Sequence, residues 1–285
     1  MKIVPFQIPK NTQEAFRVQV DVMPHLYNHL HQHPEIQLTL IKESHGTLVA
    51  GDYVGPFHAG DVFVIGSNQP HVFRNDEKFF RKKSKAVTIT VFFDETTLGE
   101  NFWQLQEIKP LSFFLKNSSG GYRITGKKRK KLAEYLLIIA NVSGIERIII
   151  FLQILQELSG KKEMHPLTKS IIQRNIKTYD GNRLNKVIEF TFREFSRTIT
   201  LKEVAALANL TPEAFCKYFK TRTRKTYISF LNEIRVNHAC RLLTEDKSIA
   251  GICYDCGFTN LSNFNRIFRK LKKVSPGEWR KLNMN

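Results

Sequence analysis

One short pattern occurs twice in the last third of the chain. The two copies are "LKEVAALANLTPEAFCKYFK" (201–220) and "IAGICYDCGFTNLSNFNRIFRK" (249–270). Apolar positions of the copies coincide at an offset of 48 residues, which becomes 49 after the turn, where Phe215 meets Phe264. A repeated unit restricts the possible folds strongly, because both copies must form the same supersecondary structure.

Each copy predicts a helix-turn-helix. The first helix is short and apolar on one side, and the turn begins at Asn209 or Gly257, residue types that tolerate positive φ. In the first copy Thr211 supplies an N-cap, and Pro212 follows at the first helical position. A tight turn between crossed helices is typical of DNA-binding units, whose second helix enters the major groove.

The second helix of each copy has an apolar face and a polar face. The helical period places Phe264 and Phe268 on one side and the polar residues on the other. The residues predicted to face DNA are Glu213, Cys216, Lys217 and Lys220 in the first copy, and Leu261, Ser262, Asn265, Arg266 and Arg269 in the second. Arg can bind guanine and Asn adenine with two hydrogen bonds each. A solvated charged face is the alternative.

Charge is unevenly distributed along the chain. Residues 181–285 contain 20 Lys and Arg against 9 Asp and Glu, a net of +11, whereas residues 1–125 have a net of +1 and residues 126–180 a net of +6. A basic excess is compatible with nucleic acid, acidic membrane or plain solubility. The sequence lacks an eighteen-residue apolar run and a secretory signal, so we expect a cytoplasmic protein with no membrane partner.

The cysteines lie in the basic part of the chain. Cys253 and Cys256 form a C-x-x-C, which is compatible with half of a zinc site or with buried thiols in a reducing cytosol. No second ligand pair follows at zinc-finger spacing. Position 253 also falls where a small apolar helix residue is needed, which favours buried thiols.

The C-terminal hundred residues resemble a known DNA-binding domain. Between the repeats, residues 226–243 predict one long helix, and Ser275-Pro276-Gly277-Glu278 predicts a capping box. With the stretches "IRVNHACRLL", "SIAGICYDCGFTNLSNFNRIFRK" and "VSPGEWRK", residues of about 182–282 resemble the domain of AraC-type transcription regulators. The resemblance implies binding to a double-stranded DNA operator and RNA polymerase as a partner. The segment "TRTRKT" (221–226) departs from it, because many relatives have a glycine there.

The N-terminal part predicts short β-strands. The stretches "FRVQVDV" (16–22), "EIQLTLI" (35–41) and "KAVTITVFF" (85–93) alternate between apolar and polar residues, and turn-forming residues separate them. Such a pattern is typical of an antiparallel barrel or sandwich. We predict a β-barrel over residues 1–125, so the fold class is a two-domain α+β protein with an all-α C-terminal domain.

Histidines collect in this N-terminal part. His31, His33 and Glu35 alternate, so on a strand they would share one face, near His71 on a neighbouring strand. The stretch resembles the half-motifs of cupins, although in metal-binding cupins the acid would lie nearer Gln37. The second half-motif matches at Gly60, Pro70, His71 and Asn75.

This resemblance leaves three interpretations of the histidines open. We expect a metal-free pocket, without a cofactor, that binds a small-molecule effector through His31, His33, Glu35 and His71. The first alternative is a divalent metal held by His31, His33 and His71. The second is a purely structural role.

The middle of the chain predicts a helical hairpin over residues 126–158, followed by a linker over residues 159–180 and the DNA-binding domain over residues 181–285. Ile148, Ile149, Leu152 and Leu155 form more apolar surface than one hairpin hides. They are expected to pack on the barrel or to pair with a second chain, and we predict a homodimer.

Together these features predict an effector-responsive, sequence-specific transcriptional regulator. Because the sequence contains no nucleophile elbow, phosphate loop or zinc-protease motif, we expect no enzyme. The competing hypotheses are a metal-dependent cupin oxygenase or isomerase fused to a DNA-binding domain, and a non-specific architectural DNA-binding protein.

Overall fold

The structure is a computed structural model and describes residues 14–76, 79, 85–168 and 178–284. The chain divides into two compact units, residues 3–178 and residues 179–285. Within the described ranges, no helix combines the length and the apolar character needed to cross a membrane.

The N-terminal unit contains strands and four α-helices in its described part. The strands are β1 (Arg17–Met23), β2 (Ile36–Glu43), β3 (Gly46–Ala50), β4 (Tyr53–Phe57), β5 (Val62–Ile65), β6 (His71–Asn75), β7 (Ala86–Phe93), β8 (Tyr122–Ile124) and β9 (Met164–Pro166). The helices are α1 (Glu100–Gln104), α2 (Lys109–Asn117), α3 (Gly126–Ile139) and α4 (Gly144–Ser159).

These strands form two antiparallel sheets. One has the order β1-β7-β2-β5-β8-β9, and the other has the order β4-β3-β6. Buried residues of both sheets share one apolar cluster, which includes Ile41, Phe63 and Ile65 of the first sheet and Leu48, Phe57 and Phe73 of the second. Face-to-face packing of this kind is typical of a sandwich.

The two-domain α+β class is therefore confirmed, but the predicted barrel is not closed. Among the described strands, β1 and β9 end one sheet and no ladder joins its edges to the other sheet. The alternation of apolar and polar residues predicts where strands occur, but it carries no information on which edges pair. This is why the sequence did not distinguish a barrel from a sandwich.

Strand β2 separates two environments. Ile36, Leu38 and Leu40 belong to a core that the helices complete. The helical residues of that core include Leu111, Phe114, Leu132, Leu136, Phe151 and Ile154. Since side chains alternate along a strand, Gln37 and Thr39 point to the opposite face, and both are buried. A polar stripe therefore lies on the face of the sheet that is turned away from the helices.

Helices α3 and α4 form the predicted hairpin. Leu155 is buried in the core and Ile148 packs against it. The side chains of Ile149 and Leu152 remain 49% and 38% exposed, and Ile145 is 72% exposed. The hairpin thus leaves a strip of apolar surface on α4.

The segment predicted as a linker, residues 159–180, is not uniformly a linker. Strand β9 lies in it and pairs with β8, with Ile124 opposite Met164. Pairing with a sheet edge makes this stretch part of the N-terminal unit. The residues between 168 and 178 lie outside the described ranges.

The C-terminal unit is helical throughout its described part. Its helices are α5 (Thr178–Glu194), α6 (Leu201–Leu207), α7 (Pro212–Thr223), α8 (Tyr227–Leu242), α9 (Ile249–Asp255), α10 (Leu261–Lys272) and α11 (Pro276–Asn283). The pairs α6–α7 and α9–α10 are the predicted helix-turn-helix units, and α8 is the predicted connecting helix.

Local chemistry fixes the ends of these helices. Asn209 and Gly257 adopt φ angles of 52° and 78° in the two turns. Thr211 caps α7 by accepting a hydrogen bond from the backbone N–H of Ala214. In the segment "TRTRKT", Arg224 takes the left-handed conformation, with φ 59°, that a glycine would adopt easily. The departure from the family pattern therefore leaves the turn intact.

The cysteines of the C-x-x-C occupy core positions. Cys253 and Cys256 are buried with Phe258 and Phe264 in the core of the second unit. Burial raises the pKa of Cys256 to about 12. Both side chains are free thiols in an apolar environment, as the interpretation of buried thiols expects.

Candidate nucleic-acid interface and histidine cluster

Helix α10 presents a polar face to solvent because its rings are used in the core. Phe264 and Phe268 are buried, and Phe264 contacts both Phe258 and Phe268. All five residues that were predicted to face DNA from this helix are exposed: Leu261, Ser262, Asn265, Arg266 and Arg269. Four of them, together with Lys270, line a shallow open depression.

The guanidinium of Arg266 is oriented by a neighbour on its own helix. Its Nη2 donates to Oδ1 of Asn263 at 2.8 Å. Asn263 in turn donates its backbone N–H to Oδ1 of the capping residue Asn260 at 2.8 Å. Orientation of this kind reduces the side-chain entropy that a bidentate contact to a base costs. Asn263 was not among the residues predicted to face DNA, although its spacing of three from Arg266 is the expected signal.

Helix α7 uses the same construction with different chemistry. Phe215 and Phe219 are buried and contact Tyr227. The predicted residues Glu213, Cys216, Lys217 and Lys220 are all exposed. This face therefore carries a carboxylate, a thiol and two ammonium groups, where α10 carries an amide and guanidinium groups.

A buried arginine ties the connecting helix α8 to the segment before the first unit. Arg235 donates from Nε to the carbonyl oxygen of Phe195 at 2.9 Å and from Nη2 to that of Arg197 at 2.8 Å. These carbonyl groups follow the end of α5. The contacts position the first unit relative to α8 and do not face solvent.

In the N-terminal unit, three histidines come together as predicted. We call His31, His33 and His71 the histidine cluster; one ring nitrogen of each lies within 4.8 Å of the others. His31 and His71 exchange backbone hydrogen bonds of 3.0 and 2.8 Å. The prediction that His31, His33 and Glu35 share a strand face is wrong, because β2 begins only at Ile36 and a bend precedes it.

The middle of the histidine cluster is occupied by a residue to which the sequence analysis assigned no role. Oε1 of Gln37 lies 3.0 Å from Nε2 of His33 and 3.1 Å from Nε2 of His71. Glu35 instead approaches His33 from the other side of the ring, with Oε2 3.6 Å from Nδ1. The amide of Gln37 also reaches the hydroxyl of Thr39, at 2.8 Å. The only sequence signal was the position of Gln37 in the cupin half-motif.

Burial keeps the histidine cluster neutral near pH 7. It lowers the pKa of His31 to about 4, with neighbouring imidazoles adding to the effect. The pKa of His71 is lowered well below its ordinary value by the same two causes. Burial also lowers the pKa of His33, against the opposing effects of Gln37 and Glu35. Neutral imidazoles can hydrogen-bond a polar ligand or bind a metal ion.

A family model and several known proteins are similar to this chain. A family model described as a helix-turn-helix domain matches residues 204–282. The HTH-type transcriptional activator RhaS of Mannheimia succiniciproducens is 24% identical over 258 residues, covering 88% of each chain. The transcriptional activator NphR of a Rhodococcus species is 35% identical over 106 residues, 37% of this chain and 31% of NphR. The structure of ToxT from Vibrio cholerae aligns with 94% of this chain and 98% of its own, at 13% identity and a TM-score of 0.36.

Two helix-turn-helix units joined by one long helix, with polar residues exposed on each second helix, define a DNA-binding protein. Residues 204–282 form a helix-turn-helix domain of the AraC type, and the chain is similar to HTH-type transcriptional activators. Two of the similar proteins, RhaS and RhaR of Mannheimia succiniciproducens, are HTH-type transcriptional activators.

Proposed function

We propose that this regulator binds an operator through α7 and α10 and that a small-molecule effector in the N-terminal unit modulates the binding. The observation that supports it best is the outward face of α10, where Asn265, Arg266 and Arg269 are exposed on a helix fixed by its buried rings. The proposed DNA contacts are Glu213, Cys216, Lys217 and Lys220 on α7, and Leu261, Ser262, Asn265, Arg266 and Arg269 on α10.

The proposed effector site consists of His31, His33, Glu35 and His71. Glu35, His33 and His71 are buried. Their imidazole and carboxylate groups can form hydrogen bonds with a polar ligand. An effector changes DNA binding only if it prefers one of two states of the regulator.

We also propose that the regulator acts as a homodimer through α4. Ile145, Ile149 and Leu152 are exposed on one helix, and a second copy would cover them. Sedimentation of the full chain should show a dimer, and Ile149→Lys should shift it toward the monomer. By family resemblance RNA polymerase is a further proposed partner, which transcription with purified components would reveal.

The deciding experiment is selection of bound duplexes from a random pool, with and without candidate effectors. A specific regulator enriches one sequence, and an effector changes the affinity or the preferred spacing of half-sites. A non-specific architectural protein would bind all duplexes alike and follow salt alone. Equal binding of all sequences would therefore contradict the proposal.

A further inference from the structure

The ring nitrogens of His71 have oxygen atoms on both sides. Nδ1 lies 2.9 Å from the carbonyl oxygen of Gln69, and Nε2 lies 3.1 Å from Oε1 of Gln37. A carbonyl oxygen only accepts hydrogen bonds, so Nδ1 must carry the proton. Since a neutral imidazole has a single N–H, Nε2 then carries a lone pair and points at another oxygen. Two acceptors facing each other at this distance repel unless something positive lies between or beside them.

The ring of His31 follows the same pattern, and the ring of His33 follows it in part. Nδ1 of His31 lies 2.8 Å from the carbonyl oxygen of His29, which leaves the lone pair of that ring on Nε2. Nδ1 of His33 lies 3.6 Å from the carboxylate of Glu35, and its Nε2 lies 3.0 Å from Oε1 of Gln37. Nδ1 is hydrogen-bonded to a carbonyl oxygen in His31 and His71, whereas in His33 it lies beyond hydrogen-bond distance of the Glu35 carboxylate.

Histidines that bind metal ions typically donate one ring N–H to a carbonyl or carboxylate group, which fixes the tautomer and orients the other nitrogen. We infer that the histidine cluster binds one divalent transition-metal ion through the Nε2 atoms of His31, His33 and His71, with Oε1 of Gln37 as a fourth donor. This departs from the metal-free pocket that the sequence predicts. It deepens the proposed function by naming the class of ligand, and its consequence for DNA binding rests on that function.

Distances and ligand types fit this inference. Around an ion with bonds of about 2.1 Å, neighbouring donor atoms lie about 3.4 Å apart in a tetrahedral site and about 3.0 Å apart in an octahedral one. The separations of 3.0 and 3.1 Å between Gln37 and the two histidines match the octahedral value. The three nitrogens, which lie within 4.8 Å of one another, have to close toward the ion. Imidazole suits Zn²⁺, Ni²⁺, Cu²⁺ and Fe²⁺.

A metal-free arrangement of the same atoms competes with this inference. If the amide of Gln37 is turned, its NH₂ group donates to both imidazoles, and its oxygen accepts from the hydroxyl of Thr39. Thr39 lies 3.0 Å from the hydroxyl of Thr90, which can donate to it in turn. The amide would then hold both imidazoles by hydrogen bonds, and the histidine cluster would have no affinity for metal.

The test is titration of the full chain, stripped with a chelator, with Co²⁺ and Zn²⁺ by calorimetry and visible absorption. One equivalent should bind, and the cobalt spectrum should lack thiolate charge-transfer bands. His33→Ala and His71→Ala should weaken binding at least about 100-fold, whereas Gln37→Glu should tighten it by adding a carboxylate. His58→Ala is the control, because the His58 side chain is 55% exposed and lies outside the cluster.

Circular dichroism tests whether each variant is folded. If His71→Ala does not fold, His31→Ala, which removes a half-buried ring, and Gln37→Glu decide the question. The inference is overturned if the wild-type chain binds no stoichiometric metal, or if folded His31→Ala and His33→Ala bind it as tightly. Thiolate bands would overturn it by assigning the ion to cysteines.

Measuring operator affinity in the same samples separates this inference from the proposed function. Stoichiometric metal that changes operator affinity supports both. Stoichiometric metal without any effect on DNA supports the site but contradicts the ion as effector. A response to an organic ligand in a chain that binds no metal overturns the metal site and supports the proposed function.

Discussion

The two helix-turn-helix units share a scaffold but present different chemistry to solvent. Each second helix buries a pair of phenylalanines four residues apart, Phe215 with Phe219 and Phe264 with Phe268. Helix α7 then exposes a carboxylate and lysines, whereas α10 exposes an amide and arginines. The buried face determines that a helix forms and where it lies, and the exposed face determines what the helix can recognise.

This comparison predicts a division of labour in DNA binding. Planar amide and guanidinium groups suit bidentate contacts to base edges, so α10 should contribute more sequence discrimination. Lysine is a point charge that suits phosphate contacts, so α7 should contribute more salt-dependent affinity, although Glu213 can still accept a hydrogen bond from cytosine.

The largest expected effect comes from breaking the shared scaffold. Phe264→Ala and Phe215→Ala should each lower the free energy of unfolding by about 3–5 kcal/mol, because each removes a fully buried ring. Leu261→Ala is the control, since Leu261 lies on the exposed face and should cost less than about 1 kcal/mol. Urea unfolding followed by circular dichroism measures all three. A loss below about 1 kcal/mol for either phenylalanine would contradict the assigned cores.

The turns give the next effect and distinguish the two units. A methyl group at Gly257 would clash with the backbone carbonyl of Phe195, and the residue has a φ of 78°. Asn209 occupies the matching turn of the first unit with a φ of 52°, yet it already carries a side chain. Gly257→Ala should therefore cost about 2–3 kcal/mol, and Asn209→Ala about 1 kcal/mol.

Urea unfolding separates these two turn variants, and Asn209→Gly is their control because glycine accepts the same φ without a clash. Equal losses for Gly257→Ala and Asn209→Ala would show that strain at φ dominates. The close approach to Phe195 would then have no separate role.

The sequence predicted the C-terminal unit far better than the N-terminal one, for a physical reason. Rings spaced by four, as in Phe264 and Phe268, are a local signal that determines both the helix and its buried face. The bridge between His31 and His71 joins residues forty positions apart, and no local pattern encodes it. The central position of Gln37 depends on that bridge.

Side-chain contacts across elements were equally hidden from the sequence. In the sequence, Arg235 is simply a charged residue of a predicted helix. In the structure it is buried and donates hydrogen bonds to backbone carbonyls that follow α5. Periodicity identifies the faces of a helix but not which polar group will be used in the interior.

The third effect tests the division of labour directly. Arg266→Ala should weaken operator binding by about 1–3 kcal/mol and relax specificity at a single base position. Lys217→Ala should weaken binding less, and about equally for operator and random duplex. Competition binding with single-base operator variants measures both.

Asn263→Ala sharpens the same comparison. This substitution removes the hydrogen-bond partner of Arg266 and leaves the guanidinium group in place. Specificity at the base that Arg266 contacts should therefore fall less than in Arg266→Ala. If Arg266→Ala weakened all duplexes alike, the arginine would be a backbone contact and α10 would not be the more discriminating helix.

The smallest effect concerns phosphate contacts. Lys220 lies in the last turn of α7, and Arg269 lies in the last turn of α10, and both side chains are exposed. Each phosphate contact on duplex DNA releases about one counterion, so Lys220→Ala and Arg269→Ala should each reduce the slope of log affinity against log salt by about 1. The loss at physiological salt should stay below about 1 kcal/mol.

Fluorescence anisotropy over a range of salt concentrations measures the slope, and Lys281→Ala on α11 is the matched control. An unchanged slope for Lys220→Ala would mean that α7 does not follow the backbone at this position, and the contrast between the two helices would then rest on base contacts alone.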